Sequence, residues 1–279
     1  ANRAFRRYCG NGEASTHVVG KPKSLLILDD KVTSCLRKLK SYYATLDGDF
    51  LFKPADEDGC LHPSDEAACE VYERVASIMA ETLGERTEGL AAVAEAGGPG
   101  SLEPRRCLDD LLRTPEGPAV PDSMPGEARE PLALFFAVYF ARPFLKHRAR
   151  RRPAPPPGEN ARTGRCPFCA SPPSLAFIVK EPEGQRQLWC HRCDERWPFA
   201  RTDCPFCGNG QQSTTGYLSI EGEGIWTIGT CEACRRYIKT YDERGTPGGI
   251  MVDADQLLWS SVVLDLAAQK HGYREGPKA

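Results

Sequence analysis

No stretch of this sequence stays apolar long enough to cross a bilayer. The longest run, Leu132 to Ala141, is about half of the ~20 residues a helical span requires. Charge of one sign is lacking too: 36 Lys and Arg stand against 38 Asp and Glu, for a formal net charge of -2. Such a balance gives no global pull toward nucleic acid or an anionic membrane. The first ten residues carry charge with no apolar run behind it, and Arg6-Arg7 is a twin-arginine pair only superficially, so no export signal is read there. Without one, the 13 cysteines do not suggest a secreted disulfide scaffold, and a cytoplasmic chain with reduced thiols is expected. Also missing are a nucleophile–base set, a Gly-rich phosphate loop and a His–Glu zinc motif. No enzyme class is supported, and a non-catalytic protein is expected.

What the sequence does have is four Cys-x-x-Cys pairs between Cys166 and Cys234: Cys166/Cys169, Cys190/Cys193, Cys204/Cys207 and Cys231/Cys234. A two-residue gap lets both sulfurs of a pair grip one ion from a tight turn, and two such knuckles about 20 residues apart complete a tetrahedral site. The pairs repeat as a unit. Both Cys166-Pro-Phe-Cys169 and Cys204-Pro-Phe-Cys207 open a unit, and an aromatic follows each closing knuckle, Trp197 in the first and Tyr237 in the second. The simplest ligation is sequential, with Cys166, Cys169, Cys190 and Cys193 on one ion and Cys204, Cys207, Cys231 and Cys234 on the other. An interleaved scheme stays open. Zinc would be structural, whereas iron in the same cage can also cycle one electron.

Ahead of these pairs the pattern is helical. Residues 1–23 are read as a loose basic arm. From Ser24, apolar residues at three- and four-residue steps predict a helix that Asp47-Gly48 ends. A second helix is expected from a Ser64 cap, with Ala68, Val71, Val75, Ile78 and Met79 along one face. Gly97 to Gly100 break the chain before a short helix over 102–112, and a loop with Pro115, Pro118, Pro121 and Pro125 follows. A helix near 127–146 has so little polar face that it is expected at the centre of a bundle. The segment Arg148 to Gly158, rich in Arg and Pro, is read as a semi-rigid solvated linker.

Beyond it the period shifts toward two. Hairpins are expected over 175–189, turning at Glu181 to Gly184, and over 217–230, turning at Glu221 to Gly224. A closing helix is expected over 253–270, docked on the metal domain or on the bundle. Trp189, Trp197, Phe168, Phe206, Trp226 and Tyr237 are candidates for apolar packing around the ions or for an ordinary β core. His191 lies inside a knuckle but is expected to be exposed, since the thiolates fill both sites. Cys60, His62 and Cys69 are too loosely spaced for a third site, and Cys9, Cys35 and Cys107 read as filler or spare thiols.

Three other classes fit the cysteines less well. A nucleic-acid-binding zinc ribbon would need a basic field, but residues 161–245 hold eleven Lys/Arg against ten Asp/Glu. A thiol oxidoreductase pair sits once at a helix start, whereas these pairs are tandem and flanked by hairpins. A rubredoxin-type electron carrier does not need a helical domain of more than half the chain.

Several of these motifs together resemble a known family. Cys-Pro-x-Cys-x-Ser/Ala-x-Pro at 166–173, Leu-x-Cys-x-x-Cys-x-x-x-Trp at 188–197, Arg201-x-x-Cys-x-x-Cys, Glu232-x-Cys-x-x-Tyr-x-Lys239, Asp-x-Asp-x-Leu at 253–257 and Leu264-Asp-Leu are similar to those of the FdhE formate dehydrogenase accessory proteins. The resemblance implies an α+β chain in three parts. These are an N-terminal α-helical bundle (1–150), a Pro/Arg-rich linker (151–160), and a duplicated rubredoxin-like or zinc-ribbon domain with a closing helix (161–279). It further implies two bound metal ions, iron of rubredoxin type or zinc. The partner would be the catalytic subunit of a formate dehydrogenase, bound in the cytoplasm during its maturation.

Overall fold

The computed structural model describes residues 16–19, 29–54, 61–84, 104–113, 131–151, 164–182, 184–220, 223–246 and 253–276. The expected breaks at 97–100 and 115–125, the prolines of the linker, the turn residues Glu221 and Gly222, and Cys9 and Cys60 lie outside them.

Helix α1 (Asp30–Tyr43) starts where the Asp29 carboxylate accepts the Lys31 N–H at 2.8 Å, and it buries Cys35, Leu36 and Leu39. Asp47-Gly48 does not end it. Instead Asp47 accepts the Phe50 N–H at 2.7 Å and opens the short helix α2 (Gly48–Leu51). The side-chain chemistry that suits Asp to a stop also suits it to a start. Helix α3 (Asp65–Leu83) begins at the Ser64 cap and buries Ala68, Val71, Val75, Ile78 and Met79. Helix α4 (Pro104–Arg113) buries Cys107, Leu108 and Leu111.

Helix α5 (Pro131–Arg151) carries the aromatic run, and its side chains from Phe135 to Leu145 are all buried. Tyr72 of α3 packs edge-on against Phe136 and Phe140, with ring centroids 4.9 and 5.3 Å away. The helix runs on through Arg148 to Arg151, which corrects the linker reading at that end. The first proline of that segment is Pro153, and a proline beyond a helix end disfavours helix only at the residue before it, so Arg148 to Arg151 remain free to be helical. No described helix is long and apolar enough to cross a membrane.

The strands among the described residues form one seven-stranded sheet of order β1-β5-β6-β7-β2-β3-β4. Strands β2 (Leu175–Ile178), β3 (Arg186–Trp189) and β4 (Arg196–Pro198) make one antiparallel meander. Strands β5 (Thr215–Ile220), β6 (Glu223–Cys231) and β7 (Arg236–Asp242) make a second. Parallel pairing of β2 with β7, Phe177 opposite Tyr241, fuses the two units. The arm read as loose supplies β1 (Thr16–Val19), parallel to β5.

Alternation along the strands gives the sheet two apolar faces. Ala176, Leu188, Trp197 and Ile238 join the core of the helices. Leu175, Phe177, Trp189, Trp226, Ile228, Tyr237 and Tyr241 face the C-terminal helices. Those are α6 (Ala254–Ser260) and α7 (Val262–Lys270) rather than one continuous helix. The break falls at Ser261, whose hydroxyl bonds back to the Leu258 carbonyl at 3.0 Å and competes with the helical ladder.

Charges partnered over more than a hundred residues lock these layers together. Arg142 of α5 and Asp255 of α6, 2% and 0% exposed, form a two-pronged pair at 2.7 and 2.9 Å. The same carboxylate accepts from Tyr139 at 2.9 Å and sits 3.1 Å from the Lys40 ammonium of α1. Asp253 caps α6 and holds Lys40 at 2.6 Å. Burial alone would raise the Asp255 pKa, but the adjacent Arg142 guanidinium outweighs it and holds the carboxyl well below the usual carboxylate range.

Removing one buried partner strands the other, so Asp255→Ala is expected to lose about 3–5 kcal/mol of unfolding free energy in urea. Because the carboxyl is lowered on folding, its contribution is complete above about pH 4 and fades as pH falls toward the folded value. The stability gap between wild type and Asp255→Asn should therefore close below about pH 4; a gap constant from pH 7 to pH 3 would show that the pair carries no such linkage.

Candidate metal centres

All four knuckles are built alike. The N–H four residues after the first cysteine donates to that cysteine's carbonyl: Ala170 to Cys166, Asp194 to Cys190, Gly208 to Cys204 and Arg235 to Cys231, at 2.8–2.9 Å. Each of these donors has a left-handed backbone, with φ of 59°, 59°, 70° and 56° in that order. Only one is glycine, so the other three hold a conformation costing about 1–2 kcal/mol, which the surrounding turn enforces. The turn aims backbone N–H groups at sulfur: those of Phe206 and Cys207 at Cys204, and that of Cys234 at Cys231. Hydrogen bonds of this kind favour the thiolate.

Folding groups the pairs sequentially. Cys166, Cys169, Cys190 and Cys193 form one set and Cys204, Cys207, Cys231 and Cys234 the other, with the sulfurs of each set within 4.8 Å of one another. Cross-pair contacts are 3.4 Å for Cys166–Cys193 and Cys169–Cys190, and 3.7 Å for Cys204–Cys234 and Cys207–Cys231. A tetrahedral ion with bonds of ~2.3 Å separates its sulfurs by ~3.8 Å. These spacings fit that ion and are far beyond the ~2.05 Å of a disulfide. Each set could hold one metal ion. Among the described residues they are the two groups with that capacity, and His62 and Cys69 belong to neither.

The thiols in each set cannot all ionise unaided. In the first, burial pushes Cys190 up, and hydrogen bonding with Cys166 and Cys169 pushes Cys193 up, whereas bonds from Cys166, Cys190 and Cys193 hold Cys169 well down. In the second, burial raises Cys204 and lifts Cys234 to about 11, while Cys231 is held down, despite burial, by the Cys234 N–H, Cys207 and Asn209. A divalent cation removes this conflict, because coordination deprotonates all four thiols.

The supporting contacts differ between the sets. At the first, Ser171 Oγ lies 3.3 Å from Cys169 Sγ and takes a 2.9 Å bond from Arg192, which also donates to the Leu111 carbonyl of α4. At the second, the Asn209 amide lies 3.8 Å from Cys231 Sγ. Arg186 staples the approach to Cys204 by donating to the carbonyls of Ala200, Arg201 and Asp203 at 3.2, 3.4 and 2.9 Å. The two units touch backbone to backbone: a Cβ on Gly164, at φ 58°, would lie 2.0 Å from the Pro205 carbonyl oxygen.

His191 corrects the expectation of an exposed ring. It is only partly accessible, its Nε2 is buried without a hydrogen-bond partner, and Tyr139, Trp189 and Trp259 surround it at 5.7–5.9 Å. Burial, with Arg142 nearby, pulls its pKa down to about 3, so it stays neutral. Its carbonyl accepts from Arg142, and Asp194 in the same knuckle holds Lys146 at 2.5 Å and the Trp189 indole at 3.0 Å. The candidate aromatics divide. Phe168, Phe206 and Trp197 pack with the first set's core, and Trp189, Trp226 and Tyr237 fill the opposite face.

The motif residues outside the cysteines also acquire roles. Tyr237 and Lys239 both bond Asp265 at 2.8 Å and fasten α7 to β7, and Glu232 accepts from Tyr273 and ties the turn after α7 to the Cys231–Cys234 knuckle. Arg142, Tyr139 and Lys40 were missed because nothing local marks them; the one signal was Asp253-x-Asp255.

No protein-family model matches the chain. A curated relative, the "Protein FdhE homolog" of Aquifex aeolicus (strain VF5), is 37% identical over 110 residues, 39% of this chain. The match spans 38% of that relative's length. In fold, the chain is similar to the crystal structure of the FdhE protein from Pseudomonas aeruginosa, with a TM-score of 0.56 at 18% identity, covering 88% of this chain and 86% of that one. The resemblance to the FdhE family read from the cysteine motifs is thus borne out, in sequence over part of the chain and in fold over most of it.

Metal analysis of the anaerobically purified full chain should find two ions, and Cys166→Ser or Cys204→Ser should each leave about one. Four-thiolate sites contribute on the order of 10 kcal/mol of apparent folding free energy, so chelation should lower the melting temperature sharply. A metal-free protein indifferent to chelator would contradict both cages.

Proposed function

We propose that this chain is an accessory protein of a formate dehydrogenase. It binds that enzyme's catalytic subunit during maturation, is needed for the subunit's activity, and performs no catalysis itself. The observation that carries the reading is the 37% identity to an FdhE homolog over 110 residues. The twin four-sulfur groups support it, as does the similarity in fold to a second protein of that name. The cytoplasm, where thiols stay reduced, is its proposed compartment.

In this reading the two ions, zinc or iron, cross-link knuckles too small to hold a core by themselves. Cys166, Cys169, Cys190 and Cys193 would hold one, and Cys204, Cys207, Cys231 and Cys234 the other. Iron would add one-electron chemistry. The chain's own residues do the rest: Arg142, Asp255 and Lys40 fix the helices against the first centre, and Asp265 fixes α7 against the second unit.

Co-expression of the tagged chain with a formate dehydrogenase catalytic subunit tests the proposal. A stable complex on size exclusion is expected, together with formate oxidation that depends on the chain, and Cys166→Ser and Cys204→Ser should weaken both. A catalytic subunit that is fully active without the chain and never co-elutes with it would refute the role.

A further inference from the structure

The two cages differ in how they are enclosed. Cys166, Cys190 and Cys193 are 2%, 0% and 0% exposed and lie within the continuous core of the helices, with Cys169 half-buried. Three side chains pin that cage's second knuckle and the turn after it to other elements: Arg142 on the His191 carbonyl, Arg192 on the Leu111 carbonyl, and Lys146 on Asp194. Freeing Cys190 and Cys193 means parting α4 and α5 from that knuckle.

The second cage sits at the edge of the protein. Cys207 is exposed, and Cys234 is half-buried, as Cys169 is in the first. Its first knuckle is held from the first unit by Arg186 and by the close approach of Gly164 to Pro205, and its second by the C-terminal turn, where the Arg274 N–H donates to the Arg235 carbonyl at 2.9 Å. Among the described residues, no side chain of the N-terminal helices is seen bonding to either. A surface cavity of about 30 Å³ opens beside the otherwise buried Cys204 and Cys231, walled by Phe206, Tyr217 and Arg236. A cavity of that size admits one or two waters or a single donor group, and falls far short of the ~300 Å³ of a small-molecule site.

Resting on the reading that both cages carry metal, we propose that they have divided roles. The second is an exchange centre that takes up and releases a thiophilic divalent cation (Zn²⁺, Cd²⁺ or Fe²⁺) in the folded protein, with Cys207 as its entry thiol. The first is closed and releases its ion only when the helices come away. Exchange needs no oxidant. Each metal–sulfur bond that breaks is replaced by a bond from the metal to an incoming donor, and the freed thiolate takes a proton from water. Local opening at an exposed edge requires less free energy than opening the core, which is why the two rates separate.

The test is zinc release from the full, two-zinc protein to excess 4-(2-pyridylazo)resorcinol, with iodoacetamide labelling mapped by mass spectrometry. Two phases of one equivalent each are expected, at least ~10-fold apart, which is ~1.4 kcal/mol in barrier. Cys207 and Cys234 should label with the fast phase, and Cys166, Cys190 and Cys193 with the slow one. Cys207→Ser should keep its helical circular dichroism and the slow equivalent but lose the fast one. A single phase for both zincs, or first labelling at Cys190 and Cys193, would overturn the division of roles while leaving two metal cages standing. A protein that binds no zinc would overturn the cages as well.

Discussion

Four sulfurs held within 4.8 Å of one another impose the constraint from which this architecture follows. Thiolates that close repel too strongly for all four to coexist without a compensating charge. Some must keep their protons, or a cation must sit between them. With the cation in place, two short knuckles become one cross-linked unit. The three-stranded meander around each then needs only modest burial to persist. Left-handed residues such as Ala170, Asp194 and Arg235 show how tightly the chain is bent to bring the sulfurs together.

The second element of the design is the way helices address one of the two units. Parallel pairing of β2 with β7 makes a single sheet, and period-two alternation gives it two apolar faces, one for the N-terminal helices and one for α6 and α7. The Arg142–Asp255 pair spans these layers, and the Arg142 guanidinium also reaches the backbone of the Cys190–Cys193 knuckle. Removing either charge would leave the other without its partner in a dry site. That first unit is therefore mechanically part of the helical core, whereas the second faces outward.

Much of this was legible because its determinants are local. The knuckles, their sequential grouping and the Ser64 cap depend on residues within a few positions of one another or on a repeated spacing. The hairpins were readable from alternation. Asp47-Gly48 was misread because a cap and a stop use the same residues, and local sequence does not say which way the chain turns. The basic end of α5 looked like linker because prolines follow it closely. The burial of His191 and the pairing of Arg142 with Asp255 had no local signature, since each depends on partners from distant parts of the chain. Asp253 and Asp255 were visible as a motif without a role; the fold assigns one carboxylate to the α6 cap and the other to Arg142.

Each cage is expected to enclose one ion with sulfur ligands alone. X-ray absorption at the metal edge of the as-purified chain measures this directly. A first shell of four sulfurs at ~2.3 Å per metal, with no nitrogen or oxygen, is the expected result. A shell containing nitrogen or oxygen donors, or a sulfur edge showing disulfides in place of thiolates, would contradict it.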